Sequence, residues 1–273
     1  MEICKRKPLA FFDSGVGGLP YLEITRKKLP DERFVYLADV KNFPYGEKKP
    51  IEIRRAVFKG IELLLKKEQP KLIVIACNTA SVVSLSELRR EFKIPFVGVV
   101  PAIKPAARGN SNGMIAVLAT KRTIEEEYLQ NLIDSFASDK EILKCPESKL
   151  VKLVEYQYFA MSREQWQKTL QKISSELSRK NVETVVLGCT HFTVISDMLE
   201  EVFNGMRIVD SRDGVSNQIV RVLKENGLLI SGKDVNKNCT DRFYITGDDN
   251  GKENYVLFAG KYQLEFRGSI ERL

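Results

Sequence analysis

"KLIVIACNTASV", residues 71–82, decides how this chain is read. Five aliphatic residues from Leu72 lead to Cys77, and Asn78, Thr79 and Ser81 follow at once. A strand of continuous aliphatic residues has both faces buried, as in a parallel sheet covered by helices. Small polar residues directly after it mark the turn into a helix. The pattern returns 112 residues later in "ETVVLGCTHFTV", residues 183–194, with Cys189 in the place of Cys77. Both thiols sit at the carboxyl end of a strand, the edge where open α/β sheets bind ligands.

Working outward, short aliphatic runs alternate with longer amphipathic stretches. Strands are expected at 8–13, 33–39, 71–77, 95–100, 114–119, 183–189, 206–210 and 242–247. Helices are expected near 17–29, 50–68, 80–92, 121–136, 162–179, 192–203 and 213–226, with Pro50 and Pro70 bracketing the second. The fold class is α/β. The duplicated strand–Cys–helix unit suggests two pseudo-symmetric α/β domains with mainly parallel sheets and the site in the interdomain cleft. The first domain is expected over 1–100 plus 210–273 and the second over 101–209.

Several classes are disfavoured. No apolar run approaches the ~20 residues of a membrane helix. Near the N-terminus, Asp13 cuts the apolar stretch after five residues, so no signal peptide is read and a cytoplasmic protein is expected. The net charge is +7, but Lys and Arg are interleaved with Glu along the chain, as on solvated helix faces, and nucleic acid is not the expected partner. Cys4, Cys77, Cys145, Cys189 and Cys239 are far apart, and none has a C-x-x-C or C-x-x-H spacing, so no metal site is expected.

Other segments are weaker alone. "FFDSGVGGLP", residues 11–20, is a Gly-rich strand-to-helix turn whose backbone N–H groups suit an anion, or else a tight turn capped by Asp13 or Ser14. It has neither G-x-G-x-x-G nor G-K-[ST]. "FPYGEK", residues 43–48, reads as a loop, and in isolation Tyr45 reads as a surface aromatic.

The cysteines carry more. A thiol at a helix N-terminus feels the positive end of the helix dipole, which favours the thiolate. Asn78 and Thr79 beside one, and Thr190 and His191 beside the other, are donors suited to a carboxylate. His191 is the single histidine, placed for acid–base assistance. A Cys–His nucleophile is conceivable, but it leaves Cys77 without a role. Two opposed thiols suit inversion of a stereocentre: one removes a proton from carbon and the other returns one to the opposite face.

Here the residues resemble a known family. "DSGVGG", "YLAD", "PYGEK", "ACNTAS" and "LGCTHF" occur in the order and approximate spacing of glutamate racemases, cofactor-independent enzymes that make D-glutamate for bacterial peptidoglycan. The resemblance runs from Pro8 to past Asp210. It implies Cys77 and Cys189 as acid/base thiols, assisted by Asp13 and His191 respectively. It implies Asp13, Ser14, Tyr45, Gly46, Asn78, Thr79, Thr190 and His191 as substrate-binding residues, with no cofactor. It further implies glutamate as small-molecule substrate and a homodimer. Three segments depart from the family pattern: Thr193 stands where Pro is usual, "VDSRDG" carries Ser-Arg, and "VEYQYF" lacks the Gly often seen after Val-Glu. The alternatives are an aspartate racemase, a related two-cysteine isomerase or decarboxylase, or a binding protein that keeps the fold, such as a gyrase-interacting relative.

Overall fold

The computed structural model describes residues 6–110, 113–230, 240–248 and 251–272. Cys4 and Cys239 lie outside the described residues. The elements run β1 (Leu9–Asp13), α1 (Leu19–Lys28), β2 (Phe34–Ala38), α2 (Pro50–Lys67), β3 (Leu72–Ile75), α3 (Asn78–Glu91), β4 (Phe96–Gly98) and α4 (Ile103–Arg108). They continue with β5 (Met114–Ala119), α5 (Lys121–Glu125), α6 (Glu127–Phe136), β6 (Ile142–Pro146), α7 (Ser148–Gln157), α8 (Arg163–Arg179), β7 (Val182–Leu187) and α9 (Thr190–Val194). The last are α10 (Ser196–Val202), β8 (Arg207–Val209), α11 (Arg212–Glu225), β9 (Arg242–Ile245), α12 (Glu253–Lys261) and β10 (Glu265–Ser269).

The chain folds as two compact units, Met1–Val99 with Arg212–Leu273, and Val100–Ser211. The first holds a six-stranded sheet of order β10-β9-β2-β1-β3-β4, the second a four-stranded sheet of order β6-β5-β7-β8. Every strand pairing among the described residues is parallel. The chain is therefore α/β. The inner order β2-β1-β3-β4 matches β6-β5-β7-β8, and one cysteine follows the third strand of each set. The match extends to single bonds: Ala76 N–H donates to Phe12 O and Gly188 N–H to Leu118 O, both at 2.7 Å. β1 and β3 are buried throughout, and β5 and β7 from their second or third residue on, because residues such as Leu72 to Ile75 and Val185 to Leu187 are covered on both faces. Among the described residues, no helix is long and apolar enough to cross a membrane.

The structure corrects several expected elements. The helix expected at 121–136 is two, because Glu126 leaves helical geometry (φ −74°, ψ 134°). Arg122 closes the short α5 there, pairing with Glu125 at 3.6 Å and Glu126 at 3.9 Å. The helix expected at 192–203 starts at Thr190 and breaks at Ile195. The Thr193 hydroxyl donates to Thr190 O at 2.7 Å, and such side-chain bonds compete with the helical ladder. Five elements have no counterpart in the sequence reading: α4, β6, α7, α12 and β10.

At the amino end of β3, away from Cys77, Lys71 is fully buried. Its ammonium pairs with Glu32 and donates to Leu228 O at 2.9 Å, while Ile230 N–H donates to Glu32 Oε1 at 3.1 Å. Removing one partner of a buried pair leaves an uncompensated charge, at a cost of about 3–5 kcal/mol. Lys71→Met is expected to lower the thermal midpoint by roughly 10 °C. Activity per folded molecule should not change, which calorimetry with a parallel activity assay would check.

Candidate active site

In the first unit, the candidate residues gather at the carboxyl ends of β1 and β3 and in the turn after β2. Cys77 is the N-cap of α3 and 5 % exposed. The Ser14 hydroxyl lies 3.7 Å from Cys77 Sγ and bonds to Asp13 Oδ1 at 3.1 Å. Asp13, the last residue of β1, is fully buried and also accepts the Gly15 N–H at 2.8 Å.

The glycine-rich turn is pinned from below. The Tyr36 hydroxyl donates to Gly15 O at 2.8 Å and accepts the Gly18 N–H at 3.0 Å. A β-carbon on Gly18 would stand 2.6 Å from that of Ala76, so only glycine lets the turn pass this close. The N–H groups of Gly15 and Gly18 are spent on Asp13 and Tyr36. One expectation fails here. Neither Asp13 nor Ser14 caps α1, whose N-cap is Gly18 with no side-chain bond.

Asn78 and Thr79 form the first turn of α3, each 2 % exposed. Neither end of the Asn78 side-chain amide has a hydrogen-bond partner among the described residues. A buried amide left so is costly, and such groups need an explanation. Tyr45 is buried, contrary to its reading as a surface aromatic, and lies with half-buried Gly46 in a 3₁₀ turn over residues 45–47. Its hydroxyl donates to Asp39 through a short bond. Burial first, then the nearby Asp39 charge, pushes the Tyr45 pKa well above its usual value, so the phenol keeps its proton. Burial also raises Asp39, against the opposing bonds from Thr246, Tyr45 and Asn42.

In the second unit Cys189 is the N-cap of α9 and 5 % exposed. Thr190 and His191 form the first turn, both buried. His191 Nδ1 lies 4.0 Å from Cys189 Sγ, and Nε2 lies 2.8 Å from Glu155 Oε2. Burial alone would lower the His191 pKa, but the bonds to Cys189 and Glu155 and their charges outweigh it and hold the pKa well above normal. The ring thus lies between a carboxylate and a sulfur, a setting that favours its charged form.

Glu155, on α7 with a fully buried side chain, is the residue that sequence reasoning misses. In the sequence, "VEYQYF" stands out only as a departure in pattern. A signal for it exists: one histidine needs a buried partner if it is to stay charged, and "KLVKLVEY" puts Glu155 one residue past the apolar Val154. Asp39 is missed in the same way, although it closes the "YLAD" segment. Among the described residues, no cluster of His, Cys, Asp and Glu could hold a metal ion.

Residues 21–215 match the family described as Asp/Glu/Hydantoin racemase. The chain is 41% identical to the glutamate racemase of Pectobacterium atrosepticum over 87% of this chain and 81% of that protein. It is 36% identical to that of Clostridium perfringens over 82% and 86%. Its fold superposes on the crystal structure of Escherichia coli glutamate racemase, solved with L-glutamate and the activator UDP-MurNAc-ala. The TM-score is 0.86, with 34% identity over 96% of this chain and 98% of that one.

Proposed function

Since the chain belongs to the Asp/Glu/Hydantoin racemase family, we propose that it interconverts L- and D-glutamate, with Cys77 and Cys189 acting on opposite faces of one α-carbon. One observation carries this reading. Two buried thiols occupy matching places after the third strand of two like-ordered sheets, Cys77 beside the Ser14 hydroxyl that bonds to Asp13 and Cys189 beside His191. A single-nucleophile hydrolase needs only one of them.

The chemistry follows. The α-proton of an amino acid is far less acidic than a thiol at about 8.5, so the charge that develops on the substrate carboxylate must be stabilised. The unpartnered amide of Asn78, with Thr79 beside it, suits that task. In one direction the Cys77 thiolate takes the proton and the Cys189 thiol returns one. The reverse direction exchanges the roles, with the His191 ring 4.0 Å from Cys189 Sγ placed to assist proton transfer there. The D-glutamate formed would serve peptidoglycan synthesis, and its enzyme would work in the cytoplasm as a homodimer.

The direct test is circular dichroism of L-glutamate with reduced protein and no pyridoxal phosphate. Decay to zero, and the mirror decay from D-glutamate, is the expected result. Glutamate left intact while aspartate reacts would replace the substrate, and no reaction with either would remove the activity. Asn78→Ala is expected to lower kcat/KM by about 10²-fold, the usual cost of one donor to a developing oxyanion. The thermal midpoint of the free protein should not fall, because the amide has no hydrogen-bond partner to lose among the described residues. Steady-state kinetics and a melting curve check both.

A further inference from the structure

We propose that Thr246 is a positioning residue for the Tyr45–Gly46 turn and acts through Asp39. This rests on the function proposed above and on the resemblance, which implies Tyr45 and Gly46 as substrate-binding residues. Thr246 follows β9, outside the 21–215 span of the family match. In the sheet, β9 lies beside β2, whose end leads into Asp39.

The bonding direction is fixed. The Thr246 hydroxyl oxygen accepts the Lys41 N–H at 3.2 Å, so its single proton is free to go to Asp39 Oδ1, 2.6 Å away. Asn42 reaches both oxygens of the same carboxylate, at 3.0 and 3.1 Å. Asp39 Oδ2 is thereby aimed at the Tyr45 hydroxyl. The backbone reinforces this: Thr246 N–H donates to Ala38 O at 3.0 Å and Asp39 N–H to Asp13 O at 2.8 Å. Asp39 and Thr246 are 1 % and 4 % exposed, so water cannot easily replace a lost bond. Glu271 holds the far side, accepting the Gly247 N–H at 3.2 Å and pairing with Lys41 at 3.5 Å. The end of the chain thus braces a turn some 200 residues earlier in sequence.

Thr246→Val keeps the shape and removes the hydroxyl. It leaves a carboxylate lone pair and the Lys41 N–H unmet, frees Asp39 to turn, and loosens Tyr45. Loss of binding that is equal in ground and transition states appears in KM. With the full chain and glutamate, KM is expected to rise about tenfold while kcat stays within about threefold. Thr246→Ser, which restores the hydroxyl, should return KM to within about twofold of the parent. In a Tyr45→Phe background, Thr246→Val should add little, because the link it acts through is already cut. An unchanged KM, a serine variant as impaired as valine, or full additivity would overturn the proposal. If the valine variant does not fold, Asn42→Ala removes the second side-chain donor that orients Asp39 toward Tyr45, and an unchanged KM there overturns it equally.

Amide hydrogen exchange over residues 45–48 without substrate separates this idea from the activity. Exchange at Lys48, whose N–H donates to Tyr45 O at 3.1 Å, should quicken about tenfold in Thr246→Val. Unchanged exchange overturns the positioning role even in an active enzyme. Quickened exchange in a protein that leaves glutamate untouched upholds it and places the fault in the function assigned.

Discussion

Cys77→Ser and Cys189→Ser each lower glutamate racemisation by about 10³-fold or more, toward the upper range of acid–base contributions. A serine hydroxyl is a much weaker acid than a thiol at about 8.5 and supplies neither the base nor the matched acid. In the mechanism we propose, each thiol is base in one direction and acid in the other, so no direction survives the loss of either. The double variant should be little worse than the single ones, as for groups that work as a unit. Serine nearly preserves volume, and both sites are buried N-caps where serine is favoured, so melting curves should show folded protein. Racemisation followed by circular dichroism, with proton NMR in D₂O for deuterium at the α-carbon, makes the measurement. Either single variant keeping a tenth of the parent rate would end the two-thiol mechanism.

Glu155→Gln is the second large effect, and its signature is in pH. His191 has a pKa raised well above its usual value by Cys189 and Glu155, against the lowering by burial. For a histidine whose folded pKa exceeds its unfolded value of about 6.5, the stabilisation is complete below about 6.5 and is lost as pH rises through the folded pKa. Glutamine removes the negative charge that holds the imidazolium, so the folded pKa falls. At neutral pH the rate should drop about 10²-fold, and the alkaline limb of the kcat profile should move to lower pH. The fall in melting temperature between about pH 6 and pH 9 should also be smaller than in the parent, because less histidine-linked stability remains to be lost. A rate loss with the same pH profile as the parent would reduce Glu155 to a packing role.

What the sequence could show depended on which side chains advertise their surroundings. The central strands β1, β3, β5 and β7 were legible because short, mainly apolar runs separated by amphipathic stretches fit a sheet covered on both faces. Cys77 and Cys189 were legible because each ends such a run ahead of small polar residues. Two of the four edge strands were not: β6 carries Lys144 and half-buried Cys145, and β10 alternates Glu265 and Arg267 with less exposed residues, so both look like loops. Burial and the charges of Glu147 and Glu176 raise the Cys145 thiol to about 11, and it stays protonated. Glu155 stayed hidden because a glutamate on an amphipathic helix reads as solvent-facing until its partner 36 residues away is in place. Thr246 needs a contact across more than 200 residues to mean anything.

The likeness of the two sheets stops at the acid beside each sulfur. Where β1 ends in Asp13, the matching end of β5 is Ala119, and the second thiol is served instead by a histidine and a glutamate from helices. Thermodynamics limits what this lopsidedness can do in a racemase. Mirror-image amino acids have equal free energies in water, so the reaction has an equilibrium constant of one at every pH. Detailed balance then makes kcat/KM the same for both enantiomers, in the parent and in every variant. Unequal half-sites can only divide that common quotient differently between turnover and saturation. An enantiomer held more tightly must be converted more slowly by the same factor, and a change in pH or in Glu155 can shift that division but never the quotient's equality.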